Sequence, residues 1–219
     1  MHLHHVAGTR SGRILWLLEE LSLDYDVSTY QIGDGSMRTA DFLERSPLGR
    51  VPALDMDGTV VFESAAITQM LCEQYPDAEL APSVGADDRA TFLQWLSYAE
   101  TQASIIEALN LQMIFLRPPA KPSAVVLKLM VARLRATLPP LEDLFGQQDW
   151  ILARGFSAAD TMLGFNFSAV THFVDLGPFP NLRNYIARCE ARPAYQRALA
   201  QDGGQSMYAQ DFYPIPSED

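Results

Sequence analysis

Three short stretches carry residues whose types and spacing could do chemistry. The first is Thr9-Arg10-Ser11-Gly12-Arg13, two hydroxyls interleaved with two guanidinium groups. Ser11 stands at the N-cap of the helical pattern that follows it. The second is Ser46-Pro47-Leu48-Gly49-Arg50-Val51-Pro52-Ala53-Leu54. Arg10, Arg13 and Arg50 are basic residues that can gather around a small anion. The third is Phe62-Glu63-Ser64-Ala65-Ala66-Ile67. Ser64 opens a helical pattern, and a helix N-terminus favours an anion by ~0.3–1 kcal/mol through its amides and dipole.

Two other groupings have quieter readings. Ser157-Ala158-Ala159-Asp160 has the spacing of a capping box, which assigns it to structure. His2, His4 and His5 invite a metal reading. A strand places His2 and His4 on one face and His5 on the other, and no carboxylate or cysteine lies close in sequence to complete a ligand set. No metal is expected, and these histidines are read as paired or solvated.

Composition narrows the function. The chain has 219 residues, 48% hydrophobic and 20% charged, with a net charge of −11. That balance is ordinary for a globular protein. The negative charge argues against nucleic acid, which needs a basic footprint, and against an anionic membrane surface. Cys72 and Cys189 are far apart in apolar, helix-like contexts, so a reducing compartment fits better than a disulfide framework. No apolar run reaches the length of a membrane span, and the N-terminus lacks a signal-peptide pattern. A cytoplasmic protein is expected.

The elements that must hold these residues follow from periodicity. Residues 1–6 alternate like a strand. Ile14, Leu15, Leu17, Leu18 and Leu21 recur at helical spacing, and residues 24–31 alternate again. Strand, helix, strand favours a parallel crossover. Residues 39–45 suggest a short helix. Residues 51–56 and 59–63 are strands joined by Asp57-Gly58, a strong hairpin signal. A helix through Gln74 follows. Pro76, Pro82 and Gly85 mark a linker, and beyond it strand signals nearly vanish. Helical patterns run over 87–116, 122–145 (interrupted at Pro139-Pro140), 157–176, 181–191 and 193–200, with a coiled tail from Gly203. The expected organisation is an α/β domain over 1–79, a linker over 80–86, and an all-α domain over 87–219.

Taken in this order, the turn at Thr9–Arg13, the Ser46–Leu54 segment, the Phe62–Ile67 segment and Phe156–Asp160 resemble the glutathione transferase superfamily, of the bacterial type. The resemblance spans residues 1 to about 200. It implies a thioredoxin-like N-terminal domain that binds glutathione and a helical domain that holds a small hydrophobic electrophile. It implies a cis bond before Pro52, which turns the Val51 amide and carbonyl toward the backbone of glutathione. It places Ser64 on the γ-glutamyl carboxylate, Glu63 on the γ-glutamyl ammonium and Arg50 near a glutathione carboxylate.

The turn at Thr9–Arg13 is where the resemblance puts the chemistry. A free cysteine thiol has a pKa of ~8.5, and the thiolate is the nucleophile. A drop of ~2 units requires ~2.7 kcal/mol of preferential thiolate stabilisation. No tyrosine occurs between residues 1 and 24, so the tyrosine-using branches match poorly. The donor is Ser11, Thr9 or a neighbouring backbone amide, with Ser11 favoured because it begins the helix and Arg10 held in reserve. Tyr98, Gln102 and Met113, on the long helix after the linker, are the expected pocket residues for the electrophile. The resemblance further implies a homodimer and a detoxifying transferase. Two other classes share these motifs: a non-catalytic binder of glutathione or hydrophobic ligands, and a scaffold module of the same fold.

Overall fold

The computed structural model describes residues 1–203 and 207–215. The part of the expected tail over 204–206 and 216–219 lies outside the described residues. The chain forms two compact units: 1–90 with 189–206, and 91–188 with 207–219.

The first unit is built on a four-stranded sheet in the order β2-β1-β3-β4. The strands are β1 (His2–His5), β2 (Asp26–Thr29), β3 (Ala53–Met56) and β4 (Thr59–Phe62). β1 and β2 are parallel, as the crossover through α1 (Gly12–Glu20) requires. β3 runs antiparallel to both β1 and β4. Asp57 and Gly58 both take positive φ, 49° and 79°, which makes the two-residue hairpin turn match the strand twist. α2 (Ala40–Arg45) is capped by the Thr39 hydroxyl, which accepts from the Phe42 amide. α3 (Ser64–Gln74) completes the thioredoxin-like β-α-β-α-β-β-α order.

α1 is the buried spine of this unit. Ile14, Leu15, Leu17 and Leu18 have no exposed surface, and Gly12 to Leu18 are all buried. Such a helix must be covered on every side. One cover comes from the far end of the chain. α9 (Pro193–Gln201) packs along α1, with Tyr195 edge-on to Trp16 at 4.8 Å. Arg192 makes a two-pronged pair with Glu20 at 2.6 and 2.7 Å, and Arg197 bonds Glu19 at 2.6 Å. The linker reading places the α/β domain entirely before residue 80. Residues 189–203 fold back to it because the apolar face of α1 needs that helix.

The second unit is helical: most of α4 (Arg89–Asn110), then α5 (Ala124–Ala136), α6 (Pro139–Phe145), α7 (Ala158–Val170) and most of α8 (Pro180–Glu190). α4 ends in a π-helical turn over Leu111–Phe115. Pro139 and Pro140 start α6 rather than bend a longer helix, since a helix's first turn needs no amide donor there. α7 stops at Val170, short of the expected 176.

At the head of α7, Ser157 and Asp160 form the capping box. The Ser157 amide and hydroxyl reach Asp160 Oδ2 at 2.8 and 3.0 Å. Oδ1 accepts from the Ile151 amide at 3.0 Å and the Tyr185 hydroxyl at 3.1 Å. One carboxylate therefore ties the α7 start to α8 and to the preceding loop.

Burial raises the Asp160 carboxyl from its ordinary 3.8 to about 6, although all four donors pull the other way. A raised folded-state value means that the folded protein holds this proton more tightly than the unfolded chain. The resulting stabilisation is complete below the unfolded value and is lost as pH climbs through the folded one. Asp160→Asn cannot titrate. Its stability deficit against the parent should shrink by ~1 kcal/mol between about pH 5 and about pH 7.5, read by urea unfolding. A deficit that does not change with pH would place the Asp160 proton elsewhere.

Candidate active site

Three segments meet at one end of the sheet of the first unit. β1 leads into the Thr9–Arg13 turn and α1. β3 is paired with β1 through His4 and Ala53, so the residues before Ala53 lie at that same end. β4 pairs Phe62 with Ala53, so Glu63 and Ser64 leave the hairpin where Val51 and Pro52 enter it. The Val51–Pro52 bond is cis.

The loop before Val51 is held by its own chemistry. The Ser46 hydroxyl accepts from the Arg50 amide at 3.3 Å, and the Ser46 carbonyl accepts from the Gly49 amide at 2.8 Å. Arg38 donates to the Leu48 carbonyl at 3.1 Å. Gly49 has φ +61°, and a Cβ there would meet the Met37 carbonyl and the Arg38 guanidinium at 2.7 Å, so only glycine fits. Arg50 itself is exposed.

Ser64 is the first residue of α3, with Glu63 in the N-cap position. Ser64 opens α3, as the residue pattern suggested, but its hydroxyl does not cap the helix. Its hydroxyl instead accepts from Arg13 Nη1 at 3.0 Å. Arg13 is wholly buried, on the helix that follows the Thr9 turn. It joins the start of α1 to the start of α3. Sequence reading listed Arg13 only among basic residues near an anion. The signal available was its position, one residue before the Ile14-Leu15 run that α1 buries on all sides.

Glu63 is exposed and sits at φ +75°, ψ +114°, a region that a side chain occupies at a cost of ~1–3 kcal/mol. The surrounding hairpin and helix impose that conformation, and it sets the direction of the carboxylate beside the helix end.

The turn itself corrects the expectation for Ser11. Ser11 has no exposed surface, and its hydroxyl does not cap α1. The hydroxyl lies 2.8 Å from His5 Nδ1, accepts from the Val6 amide at 3.2 Å and lies 2.9 Å from Thr9 Oγ1. Its φ and ψ are already helical, so the side chain points back to β1 rather than over the helix end. A ligand at the surface cannot reach it. Thr9 and Arg10 are half-buried. The Thr9 hydroxyl donates to the Val6 carbonyl at 2.8 Å.

The histidines separate as strand alternation requires. His4 lies between Tyr30 Oη at 2.8 Å and Asp55 Oδ2 at 3.2 Å, and His2 meets Ser28 at 2.8 Å. Asp55 is thus the carboxylate that sequence proximity did not offer to His4. No group of three metal-binding side chains occurs among the described residues. His5, on the other face, belongs with the turn.

In the helical unit, Gln102 does not line a pocket. Its amide is spent inside the core, donating to Thr137 Oγ1 at 2.9 Å and accepting from Asn166 at 3.0 Å. A wholly buried amide needs both partners, which is why a polar residue stands on this face of α4. Tyr98 is half-buried, and its hydroxyl donates to the Thr137 carbonyl at 2.8 Å, tying α4 to the α5–α6 junction. Met113 is half-buried in the π-helical turn.

A four-stranded mixed sheet of this order, a helix end beside a cis-proline loop, and an all-α unit define the glutathione-transferase architecture. Comparison with known proteins agrees. The profile of the family described as "Glutathione S-transferase, N-terminal domain" matches residues 9–74. Glutathione S-transferase 3 of Schizosaccharomyces pombe is 27% identical over 203 residues, covering 88% of this chain and 84% of that protein. Glutathione S-transferase GstA of Escherichia coli O157:H7 is 27% identical over 202 residues, covering 91% and 92%. A sphingomonad glutathione S-transferase solved in complex with glutathione aligns with a TM-score of 0.82 at 26% identity, over 93% of this chain and 99% of that one. These likenesses support the glutathione transferase superfamily, of the bacterial type, and with it a transferase enzyme.

The strained position gives a direct test of what the site costs the fold. Glu63→Gly removes the side-chain clash at positive φ, and should stabilise the protein by ~1 kcal/mol or less after the entropy of glycine is counted. The same change removes the carboxylate at the helix end. Urea unfolding should therefore show no loss of stability, while glutathione affinity measured by calorimetry falls.

Proposed function

We propose that the first unit binds glutathione at this end of the sheet and stabilises its thiolate for attack on a small hydrophobic electrophile. The observation that carries the reading is the convergence of three features: the Val51–Pro52 loop, the Ser64 helix end and the Thr9 turn. The helix end offers amides and a dipole to the γ-glutamyl carboxylate, and Glu63 offers a carboxylate to the ammonium. The backbone of Val51 pairs with the tripeptide like an added strand. Arg50, exposed beside it, attracts a carboxylate.

Thr9, in place of Ser11, is the hydroxyl assigned to the sulfur. It is the one with surface to offer, and turning it from the Val6 carbonyl toward a thiolate trades a neutral hydrogen bond for a stronger, charge-assisted one. Arg10, on the same turn, adds positive charge. The electrophile is assigned to the helical unit, where Met113 suits variable apolar ligands. Glutathione is a co-substrate, and no metal enters the scheme. The protein is placed in the cytoplasm as a homodimer that detoxifies electrophiles. No described helix is long and apolar enough to cross a membrane.

The non-catalytic reading has one observation on its side: the hydroxyls of Thr9 and Ser11 both bond inward. Two substitutions separate binding from activation. Ser64→Ala should weaken glutathione by ~1–3 kcal/mol, the size of a charged hydrogen bond left unmade. Thr9→Val should leave affinity nearly intact and lower turnover of generic electrophiles by roughly 10- to 150-fold. Unchanged affinity in Ser64→Ala would remove the helix-end site. Absent turnover in the parent, with glutathione bound, would make the protein a binder.

The homodimer is tested by light scattering at micromolar concentration. It should give twice the monomer mass, and a monomer would end that assignment.

A further inference from the structure

His5 is buried without any exposed surface, on the strand that leads into the Thr9 turn. Nothing in the reading above uses it. Its Nδ1 is 2.8 Å from Ser11 Oγ, and Ser11 Oγ is 2.9 Å from Thr9 Oγ1. On the ring's other side, Nε2 faces Asp202 Oδ1 at 3.4 Å, too long for a well-made hydrogen bond, and has no other partner among the described residues. Asp202 follows α9 directly. It accepts from the Gly8 amide through both oxygens, at 3.2 and 3.0 Å. The order is carboxylate, imidazole, hydroxyl, hydroxyl, with the last hydroxyl at the surface of the turn. A carboxylate behind an imidazole fixes its tautomer and stabilises the imidazolium, as in serine hydrolases.

We propose that His5, backed by Asp202, is the acceptor of the glutathione thiol proton, which reaches it through the hydroxyls of Thr9 and Ser11. The proposal rests on the assignment of the thiol to Thr9 made above. At rest, the charge of Asp202 facing Nε2 favours the ring proton on that nitrogen, so the Nδ1 lone pair accepts from the Ser11 hydroxyl. When the thiol meets Thr9, the S–H bond breaks and its electron pair stays on sulfur. The proton passes to Thr9 Oγ1, the Thr9 proton passes to Ser11 Oγ, and the Ser11 proton forms a bond to His5 Nδ1. Each hydroxyl gains one proton and gives one up. Every donor then points outward: His5 Nδ1–H to Ser11, Ser11 to Thr9, and Thr9 to the thiolate. The Thr9 hydroxyl that relays the proton is left donating to the charge it has created. Once the sulfur is consumed, the proton returns along the same path to the surface.

The surroundings suit an acceptor. Burial lowers the His5 pKa from its ordinary 6.5, which keeps the resting ring neutral and Nδ1 open. Asp202 acts against that lowering, so the ion pair formed by proton transfer is compensated. Burial also raises Asp202, and the Gly8 amide and His5 pull it back. From α9, Tyr195 is the titratable group that feels Asp202, and burial holds its hydroxyl up at about 12, so near neutral pH it is already protonated and takes no proton. From the turn, the groups facing the ring are the Ser11 and Thr9 hydroxyls.

The test counts protons. Glutathione is titrated into the full chain by calorimetry in buffers of different ionisation enthalpy, while thiolate is followed by its ultraviolet absorbance. In the parent near neutral pH, thiolate should form with far less than one proton released per site. In His5→Gln, thiolate at neutral pH should fall about tenfold, a one-unit rise in the bound thiol's pKa. Thiolate formed there at higher pH should release one full proton, with affinity for glutathione little changed. Asp202→Asn should shift the thiolate titration in the same direction. A purely structural role for His5 moves stability and affinity but not the proton count. One proton released per thiolate in the parent would overturn the relay and leave glutathione activation standing. Glutathione bound without thiolate would remove both relay and activation, and no binding would remove the proposed function with them. The parent measurement decides the matter even if neither variant folds.

Discussion

A guanidinium without exposed surface is expensive to desolvate, and Arg13 is such a group. What repays it is geometry. Arg13 leaves the first turn of α1, at the end of the Thr9–Arg13 stretch, and reaches the first residue of α3, giving a hydrogen bond to Ser64. The starts of two helices are thereby fixed to each other through one side chain. Everything at this end of the sheet inherits that distance: the start of α3, the strained Glu63 beside it, and the Thr9–Arg13 turn. A lysine would not serve as well, because a single ammonium lacks the planar fork that positions two partners at once.

The same logic explains how the site tolerates polar groups in a tightly packed interior. Ser11, His5 and Ser64 are all buried, yet each has a named partner. Asp160 repeats the pattern in the helical unit with four donors on one carboxylate. Buried polar groups of this kind specify one arrangement, since any slip leaves several of them unsatisfied.

Much of this was legible in the residue pattern. The hairpin at Asp57-Gly58, the helix starting at Ser64 and the box at Ser157 and Asp160 rest on local chemistry, and local chemistry is what a sequence states openly. Ser11 was misread for a physical reason. Capping depends on the backbone angles of a single residue, and its hydroxyl found better partners in β1 than at the helix end. Gln102 was misread because a buried amide and a pocket-lining amide look alike until their partners are known. His5 was visible only as one of three histidines. Its role needed Asp202, whose contact with Gly8 joins residues 194 apart. The docking of α9 on α1 was hidden likewise, because an amphipathic helix announces that it needs a partner without naming it.

That late helix has a consequence for how the protein comes into being. The ribosome delivers β1 and its turn long before the carboxylate that faces His5. A nascent chain that has emerged through α3 carries the whole sheet, the cis-proline loop and the Ser64 helix end, but its α1 still exposes the side that α9 will cover. Domains generally mature in order of synthesis. Here the first unit is opened early and closed late, with residues 91–188 of the helical unit made in between. The Thr9–Arg13 turn therefore gains its full set of neighbours only once α9 and Asp202 have been made, and translation that stops before α9 leaves His5 without the carboxylate that faces it.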